Sequence, residues 1–476
     1  MKKMLAIIMT CALVLSLCAC GSSDAAPGTT GAAAATTAGA SSHGFMVGYS
    51  KVDVTPTAPA PLSGYGNTDE RLHTEVLDPL YFTCVAMTDA EDNTAMFITI
   101  DLCSIDKNTV SSIRGRINSK TGVPKENIMV SITHTHSAPQ ASAMSSQLMN
   151  AAQEAGEEAM ADRKEAKMFI SKANTENINF VRHYKLQNGE YVGDNHGMDN
   201  GQYVGHATEV DQEMRVIKFT REGGKDVVLA NWQSHPHITG GFTRTSMSAD
   251  IIGMFRMNME KDGYLFAYYQ GGGGNINPTS RIKGESANSS NDYRVSGQML
   301  ASTCKMAMKS EVEAETGLIQ INKVTFEAEA NREELDKMTD AGMVRDYYEQ
   351  GHTPAETAVY AQENFGIQSI YHANAIGNRG GLDKIMRVEI NAISLGGVAW
   401  VTAPFEIFDT NAKFVRDNSP YEMTFYNGYC NGGNGYMPSI EAWEYGCYEA
   451  DTASFARGTA EKLSDTFVEM LNELHG

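Results

Sequence analysis

Short segments made almost entirely of apolar residues recur along residues 45–476, and segments of helical spacing separate them. Residues 94–100 and 128–132 show the first pattern, which is typical of strands that are buried on both faces. Residues 110–118 show the second pattern, with apolar side chains three and four positions apart. This alternation predicts an α/β domain, or an α+β domain, built on a mostly buried mixed sheet flanked by helices.

The same patterns predict the individual elements of this domain. The predicted strands are residues 45–54, 80–87, 94–100, 128–132, 227–232, 264–269 and two strands within 386–401. The predicted helices are residues 110–118, 141–170, 453–474 and one that begins at the capping box Thr353-Pro354-Ala355-Glu356. The chain has no internal repeat and no proline-rich linker after residue 62, so residues 45–476 are predicted to form a single large domain.

The first 44 residues differ in composition from the rest of the chain. A positively charged start and an apolar run end at Leu17-Cys18-Ala19-Cys20-Gly21, and the run is too short to span a bilayer. Residues 1–20 resemble a bacterial lipoprotein signal peptide, with cleavage before Cys20 and a lipid on its sulfur; a plain secretory signal is the alternative. Residues 21–44 are mostly Ala, Gly, Ser and Thr, which predicts a flexible tether. The sequence therefore predicts an extracytoplasmic lipoprotein, anchored through Cys20 to the outer face of a bacterial cell membrane.

The charge balance excludes some classes of partner. The chain has 38 Lys and Arg residues against 58 Asp and Glu residues, a formal net charge of −20. This argues against nucleic acid as a partner, because phosphate contacts need clustered cations, and against attachment to anionic lipid by charge alone. Among the cysteines after the signal peptide, Cys430 and Cys447 could pair in an oxidising location, or all could be buried free thiols. The sequence sets no oligomeric state.

Two of the predicted strands run into loops that carry paired histidines. His134 and His136 follow one strand, and His235 and His237 follow another. Residues two apart in an extended chain point to the same face, so the histidines of the first pair are expected to project together. Four of the 12 histidines lie in these two loops, and imidazole is the commonest metal ligand among side chains. The clustering favours a metal site over pairs of structural histidines.

Other loops carry polar groups next to apolar strands. The run Gly271–Gly274 is followed by Asn275 and Asn277. Its glycines allow the backbone to approach a ligand, but the run lacks the lysine of a phosphate-binding loop, and a plain tight turn is the alternative. Glu406 lies between bulky apolar residues just after a strand. A carboxylate in this position is either exposed to solvent or kept there for a functional role. Tyr436 lies in a second glycine-rich loop, where a tyrosine is more often a packing residue than a ligand.

Taken in order, these motifs resemble those of the neutral/alkaline ceramidase family. The matching stretches are residues 47–49, 53–56, 62–66, 133–137, 231–235, 270–278, 404–406 and 435–436. The resemblance implies a zinc amidase with one zinc ion per chain, from a family that splits ceramide into sphingosine and fatty acid. The zinc ligands that it implies are His134, His235, Glu406 and Tyr436. It also implies that His136 contacts the reacting amide beside the metal and that Arg182 is the active-site arginine.

The chain departs from the family pattern at three positions. Asn275 and Asn277 stand where the family has aspartate and serine, and Phe405 replaces the glycine before Glu406. The family serine is a candidate nucleophile or substrate clamp, so that role has no counterpart at Asn277. The resemblance therefore implies a metal-dependent hydrolase core of small-molecule or lipid amides, without specifying ceramide as the substrate.

The main hypothesis is an exported zinc hydrolase that cleaves an N-acyl amide. Zinc-bound water would attack the carbonyl, zinc and Arg182 would stabilise the oxyanion, and His136 would protonate the leaving amine, with His237 as the second choice. An amidohydrolase-type barrel also places paired histidines at a strand end, but the sequence lacks the eightfold strand–helix repeat of a barrel. The other alternative is a non-catalytic or degenerate ligand-binding lipoprotein on the same fold, which would need no set of four convergent ligands.

Overall fold

The computed structural model describes residues 43–65, 71–241 and 243–476. The predicted signal peptide with Cys20, and the predicted tether as far as residue 42, lie outside the described residues. No helix within the described ranges combines the length and the apolarity needed to cross a bilayer. Residues Ser41–Gly476 form one compact unit.

Strands outnumber helices in the first half of the described chain. Its elements are β1 (Met46–Asp53), β2 (Glu75–Val76), β3 (Tyr81–Thr88), β4 (Thr94–Ile100), α1 (Lys107–Thr121), β5 (Ile128–Ile132), α2 (Ser145–Ala161), β6 (Lys164–Asn174), β7 (Phe180–Val181), β8 (Tyr184–Leu186), β9 (Tyr191–Val192), β10 (Tyr203–His206), β11 (Glu213–Arg221), β12 (Val227–Trp232), β13 (Ser246–Met247), α3 (Asp250–Lys261), β14 (Leu265–Gln270), β15 (Ile276–Asn277), α4 (Tyr293–Ala307) and β16 (Val312–Ala314).

Helices are more frequent in the second half. Its elements are β17 (Ile319–Glu329), α5 (Met338–Glu349), α6 (Pro354–Phe365), α7 (Ile370–Arg379), β18 (Ile385–Leu395), β19 (Val398–Thr402), β20 (Glu406–Ile407), α8 (Asp409–Asp417), β21 (Met423–Asn427), β22 (Tyr436–Met437), α9 (Ile440–Tyr445), α10 (Tyr448–Thr452) and α11 (Thr459–His475). Short 3-10 helices lie at Lys125–Asn127, Ala141–Met144, Met308–Ser310 and Leu335–Lys337.

Two sheets form the centre of the fold. The larger sheet has nine strands among the described residues, in the order β14-β12-β11-β6-β1-β3-β4-β5, with β16 also paired to β6. It is mixed, because β12–β14 and β4–β5 are parallel pairs and the other pairs are antiparallel. Its terminal strands β14 and β5 contact each other, so the sheet is strongly curved. The smaller sheet has the order β17-β18-β19-β21.

The two sheets pack face to face between layers of helices. Phe97 and Tyr269 of the larger sheet and Trp400 of the smaller sheet lie in the shared core, with the rings of Phe97 and Trp400 centred 5.0 Å apart. Helices α1 to α4 cover the other face of the larger sheet, and α8 and α11 cover the smaller one. The predicted mixed sheet flanked by helices is therefore confirmed. The second sheet was not part of the sequence prediction.

The strand predictions are accurate where the segment is apolar throughout. Residues 94–100, 128–132 and 227–232 are strands with the predicted ends, and all their side chains are buried. The helix prediction for 141–170 is wrong at its end, because Lys164–Asn174 forms β6, which pairs with β11 over nine residues. The closing helix begins at Thr459 rather than at residue 453.

Helices α5, α6 and α7 form an insertion between the first two strands of the smaller sheet. They have their own small core, which includes Ala341, Ala361 and Ile376. The predicted capping box at Thr353 is confirmed, because its hydroxyl accepts from the Glu356 N–H and the Glu356 carboxylate accepts from the Thr353 N–H. The described cysteines are all buried and free, so Cys430 and Cys447 form no disulfide.

Candidate active site

The histidine-bearing loops meet because the sheet curves until its edge strand β14, the neighbour of β12, contacts the opposite edge strand β5. Backbone hydrogen bonds tie these loops together: the His136 N–H donates to the Pro236 carbonyl at 3.0 Å, and the His235 N–H donates to the Ile276 carbonyl at 2.9 Å. The glycine run after β14 then packs against β20. Gly274 donates to the Ile407 carbonyl, and a Cβ on Gly274 would lie 2.4 Å from the Glu406 carbonyl oxygen. The glycines therefore allow a close approach to the strand that begins at Glu406.

Three predicted ligands converge at this junction. His134 Nε2 lies 3.4 Å from Glu406 Oε2, and His235 Nε2 lies 3.5 Å from the same oxygen. The ligating atoms of all three residues lie within 4.8 Å of one another, the spacing of groups that can share one metal ion. Other cavities of comparable volume, around His206 and around Arg114, contain no such cluster among the described residues.

Both histidines are oriented by backbone carbonyls. His134 Nδ1 lies 2.6 Å from the Cys103 carbonyl oxygen, and His235 Nδ1 lies 3.0 Å from that of Ile276. A carbonyl only accepts, so each Nδ1 carries the proton and each Nε2 lone pair faces Glu406. His235 Nε2 and Glu406 Oε2 are buried without a hydrogen-bond partner among the described residues. Such atoms cost about 1–3 kcal/mol each when unpaired, so a bound cation would explain the arrangement.

The charge states also suit a divalent cation. Burial, and next the positive charge of Arg182, lower the pKa of His235 to about 3, so the imidazole is neutral at neutral pH. Burial alone would raise the pKa of Glu406, but His134 and His235 hold it well below its ordinary value. Neutral imidazoles and an ionised carboxylate are the ligand forms that zinc requires.

Tyr436, the fourth predicted ligand, lies next to Glu406. Strands β20 and β22 are parallel, and their register pairs Glu406 directly with Tyr436. The Tyr436 hydroxyl accepts a hydrogen bond of 3.1 Å from Arg182 Nη2. The structure thus brings all four predicted ligands, and the predicted arginine, to one place.

Arg182 is held by a carboxylate that the sequence analysis missed. Glu449, at the start of α10, is fully buried and accepts from Arg182 Nε at 2.6 Å and also from Nη2. Its other oxygen lies 2.7 Å from His183 Nε2, and His183 Nδ1 lies 2.8 Å from the Tyr445 hydroxyl. Burial opposes the charge on Glu449, but Arg182 and His183 hold the pKa of this carboxyl well below its ordinary value. Glu449 therefore fixes the position of the Arg182 guanidinium.

His136 lies beside the ligand cluster, but not for the predicted reason. Its Nε2 is 3.2 Å from His134 Nε2, so the pair does project together. The explanation by an extended chain is wrong, because His134 has a left-handed backbone with φ +65°. His136 also packs on Gly64, where a Cβ would lie 2.6 Å from the imidazole. Burial, and next the neighbouring His134, hold the pKa of His136 well below its ordinary value, so it is neutral.

The remaining predicted residues separate into two groups. His237 Nε2 lies 2.9 Å from Asn277 Oδ1, and both residues line the cavity above the ligands. Asn275 is buried elsewhere: its Nδ2 donates to Asp409 Oδ1 at 2.8 Å, and its Oδ1 accepts from the Asp409 N–H. Asn275 thus connects the glycine run to the start of α8, and its side chain does not line the cavity.

A cavity of about 620 Å³ lies beside the ligand cluster; Tyr436, the fourth predicted ligand, lines it, whereas His134, His235 and Glu406 do not. The inner wall of the cavity includes His136, Arg182, Tyr436 and Tyr448. Tyr448 was also missed, because a tyrosine in a short helix carries no sequence signal; its ring lies edge-on to Tyr436, with centroids 5.7 Å apart. This volume is in the usual range for small-molecule sites. The arrangement can hold a metal ion, present an arginine to a carbonyl oxygen and transfer a proton through a neutral imidazole.

Comparison with known proteins identifies the family and the fold. The family model for the neutral/alkaline non-lysosomal ceramidase, N-terminal, matches residues 45–310. The fold is similar to that of neutral ceramidase from Pseudomonas aeruginosa, with a TM-score of 0.68, 17% identity, and coverage of 91% of this chain and 74% of that chain. It is also similar to a ceramidase complexed with C2, with a TM-score of 0.68, 16% identity, and coverage of 91% and 75%. The chain belongs to the neutral/alkaline non-lysosomal ceramidase family.

Proposed function

We propose that this protein is a zinc-dependent hydrolase of amide bonds. The observation that carries the proposal is the convergence of His134, His235 and Glu406, with His235 Nε2 and Glu406 Oε2 buried and without a hydrogen-bond partner among the described residues. Membership of the ceramidase family supports amide hydrolysis, and the similarity to a ceramidase complexed with C2 supports an N-acyl compound as the substrate.

The metal would be held by the residues that the resemblance implies. His134, His235 and Glu406 would bind one zinc ion, with Tyr436 as the fourth ligand. When bound, zinc polarises a carbonyl and lowers the pKa of water to about 7, which makes hydroxide available at neutral pH.

The protein's own groups then have distinct roles in the reaction. Arg182, held by Glu449, would donate to the amide carbonyl oxygen as negative charge develops there. Water oxygen adds to the carbonyl carbon, the C–N bond breaks, and the leaving amine needs a proton. His136 is neutral and borders the cavity, so it can accept a proton from water and pass it to the amine nitrogen. His237, held by Asn277, is the second candidate for this transfer.

The location of the protein is a separate proposal. We propose export and attachment through a lipid on Cys20, supported by the charged start, the apolar run and the Ala19-Cys20 junction. Mass spectrometry of the mature N-terminus tests this: a diacylglyceryl cysteine is expected in the wild-type protein and absent from Cys20→Ser. An unlipidated N-terminus at another residue would contradict it.

The hydrolase proposal is tested with metal-depleted protein. Wild-type protein treated with a chelator should lose hydrolysis of N-acyl amides, with C2-ceramide and N-acetylated amines as the first probes. Added zinc should restore the rate. Hydrolysis that survives complete metal removal would contradict the proposal. Protein that retains zinc and binds these amides but never cleaves them would support the alternative, a degenerate binding protein on the same fold.

A further inference from the structure

The cavity as a whole has an unusual composition for a lipid site. None of the described residues that line it is Leu, Ile, Val, Met, Phe or Trp. Its rings all belong to tyrosines or histidines, and the tyrosines are Tyr65, Tyr184, Tyr371, Tyr436 and Tyr448. Small-molecule sites are predominantly apolar, with a few placed polar groups. This wall has a larger share of hydroxyl, amide and charged groups, and its tyrosine rings supply much of the apolar area.

We call the side of the cavity that carries Asp194, Arg281 and Tyr371 the outer wall, and charged groups form part of it. Arg281 Nη2 lies 2.7 Å from Asp194 Oδ1, and both side chains are about one third exposed, at 35% and 34%. Asp194 Oδ2 accepts from Asn277 Nδ2 at 3.3 Å and lies 4.0 Å from Arg182 Nη1. Arg281 also contacts Asp199 through Nη1, so its guanidinium is fixed from two sides. A carboxylate and a guanidinium thus border the cavity between the ligand cluster and the solvent.

An alkyl chain gains little on such a wall. Burial of an apolar group is favourable when the group moves from water into apolar surroundings. An alkyl chain in this cavity would instead displace water from Asp194 and Arg281 without replacing the hydrogen bonds that the water made. A ligand with several hydroxyl groups can replace those hydrogen bonds, because carboxylate oxygens accept from hydroxyls and guanidinium N–H groups donate to them. Tyrosine rings add flat apolar faces with a polar edge, which suits a ligand that is polar at its rim and less polar on its faces.

We propose that the natural substrate is a small polyhydroxylated N-acyl amine, of the N-acetylated amino-sugar type, rather than a long-chain ceramide. Its amide lies at His136 and Arg182, and its hydroxyl groups lie against Asp194 and Arg281. The inference rests on the proposed amide hydrolysis and adds the chemical class of the substrate. It assigns Asp194 and Arg281 to substrate specificity, a role that the family ligand set does not include.

The test compares two substrate classes on the zinc-loaded full chain. N-acetylglucosamine and its β-linked disaccharide represent the first class, and C2-ceramide and C16-ceramide in mixed micelles represent the second. Released amine is quantified by mass spectrometry. We expect kcat/KM at least tenfold higher for an N-acetylated sugar than for C2-ceramide, and lowest for C16-ceramide. Equal or better cleavage of the ceramides would overturn the inference while leaving the proposed amide hydrolysis intact.

A variant separates recognition from catalysis. Asp194→Asn should lower kcat/KM for the N-acetylated sugars at least tenfold more than it lowers kcat/KM for C2-ceramide, mainly through KM. Asp465→Asn, an exposed aspartate on α11, is the matched control and should change neither. Arg281→Gln is an independent variant of the same wall, and circular dichroism checks that each protein is folded. A uniform fall in activity on all substrates in both wall variants would overturn the inference.

If neither class of compound is hydrolysed, the proposed function is refuted. Binding measurements then still test the inferred substrate class. Isothermal titration with N-acetylglucosamine and with C2-ceramide needs no turnover. Saturable sugar binding that weakens at least tenfold in Asp194→Asn would support the inference. Binding of C2-ceramide alone, or of neither compound, would overturn it.

Discussion

The two ends of the cavity are built differently. The inner end borders the ligand cluster, which comes from the loops after β5 and β12 and from β20 and offers two imidazoles and a carboxylate, donors that suit zinc. The outer end comes from the segment after β9, the loop after β15 and helix α7, which supply Asp194, Arg281 and Tyr371. The ligand cluster beside the inner end is the set that the family resemblance implied, whereas the described residues of the outer end lack the aliphatic surface that a long-chain lipid needs. Under the two proposals above, reaction type and substrate choice therefore depend on separate elements of the chain.

The largest effect is expected at the inner end. Glu406→Gln should reduce kcat/KM for every amide substrate by more than ~100-fold. Loss of a metal ligand weakens metal binding more than loss of a residue that only hydrogen-bonds to a ligand. Zinc titration of the variant should show weakened binding. Glu469→Gln, on the exposed face of α11, should behave as wild type. A Glu406→Gln variant that affects one substrate class only would break the proposed division between the two ends.

The next effect is expected at the support of the arginine. Glu449→Gln removes the charge that fixes Arg182, and we expect kcat to fall about 10–100-fold with a smaller change in KM. Arg182→Lys should cause a similar loss, and the double variant should be little worse than either single one, because the two residues act as a unit. Additive losses, measured as kcat on one N-acyl amide, would contradict this coupling.

A smaller effect is expected at the outer wall. Tyr371 of α7 contacts Tyr448 edge-on, with ring centroids 5.9 Å apart. Aromatic contacts of this kind contribute about 0.5–1.5 kcal/mol, so Tyr371→Ala should raise KM about 2–10-fold and leave kcat nearly unchanged. Tyr348→Ala, on the exposed surface of α5, is the matched control. A kcat effect larger than the KM effect would show that α7 also takes part in the reaction step.

The smallest effect is expected on the stability of the fold and concerns Glu334, which does not line the cavity. Glu334 lies 2.7 Å from His372 Nε2 and 3.2 Å from Arg379 Nη1, and the hydrogen bond from His372 is the main reason that its pKa falls to about 2. A lowered carboxyl pKa stabilises the fold above the ordinary pKa of 4.5, and this contribution is lost as the pH falls towards 2.

Thermal unfolding checks this point. Glu334→Gln should lower Tm by a few degrees at pH 7, and the difference from wild type should narrow between pH 4.5 and pH 3. Initial rates at pH 7 should change little. A Tm difference that does not depend on pH would show that the His372 contact contributes no charge-linked stability.

The sequence predicted the inner end better than the outer end for physical reasons. Strands such as 128–132 are wholly buried, so hydrophobicity alone marks their ends and the histidines that follow. Glu449 and Tyr371 lie on helices whose positions depend on tertiary packing, and no local pattern distinguishes them from ordinary surface residues. The helix-like composition of 164–170 is overridden by pairing between β6 and β11, which only the tertiary structure specifies.

The structure brings His134 and His235 together, as the ligand set implied by the family resemblance requires. Spacing could place each pair at a strand end but could not join loops that are about 100 residues apart in the chain. The curvature that brings β14 to β5 supplies that connection. The structural role of Asn275 could not be predicted from the sequence either, because its hydrogen-bond partner Asp409 lies on α8, far along the chain.

The most direct test of the account is the metal content of the purified protein. Elemental analysis should find about one zinc per chain in the wild-type protein and in His475→Ala, which replaces an exposed histidine at the end of α11. It should find almost none in His235→Ala, with amide hydrolysis lost in parallel. Equal zinc in all three proteins, or full hydrolysis by His235→Ala, would contradict the assignment of this cluster as the catalytic metal site.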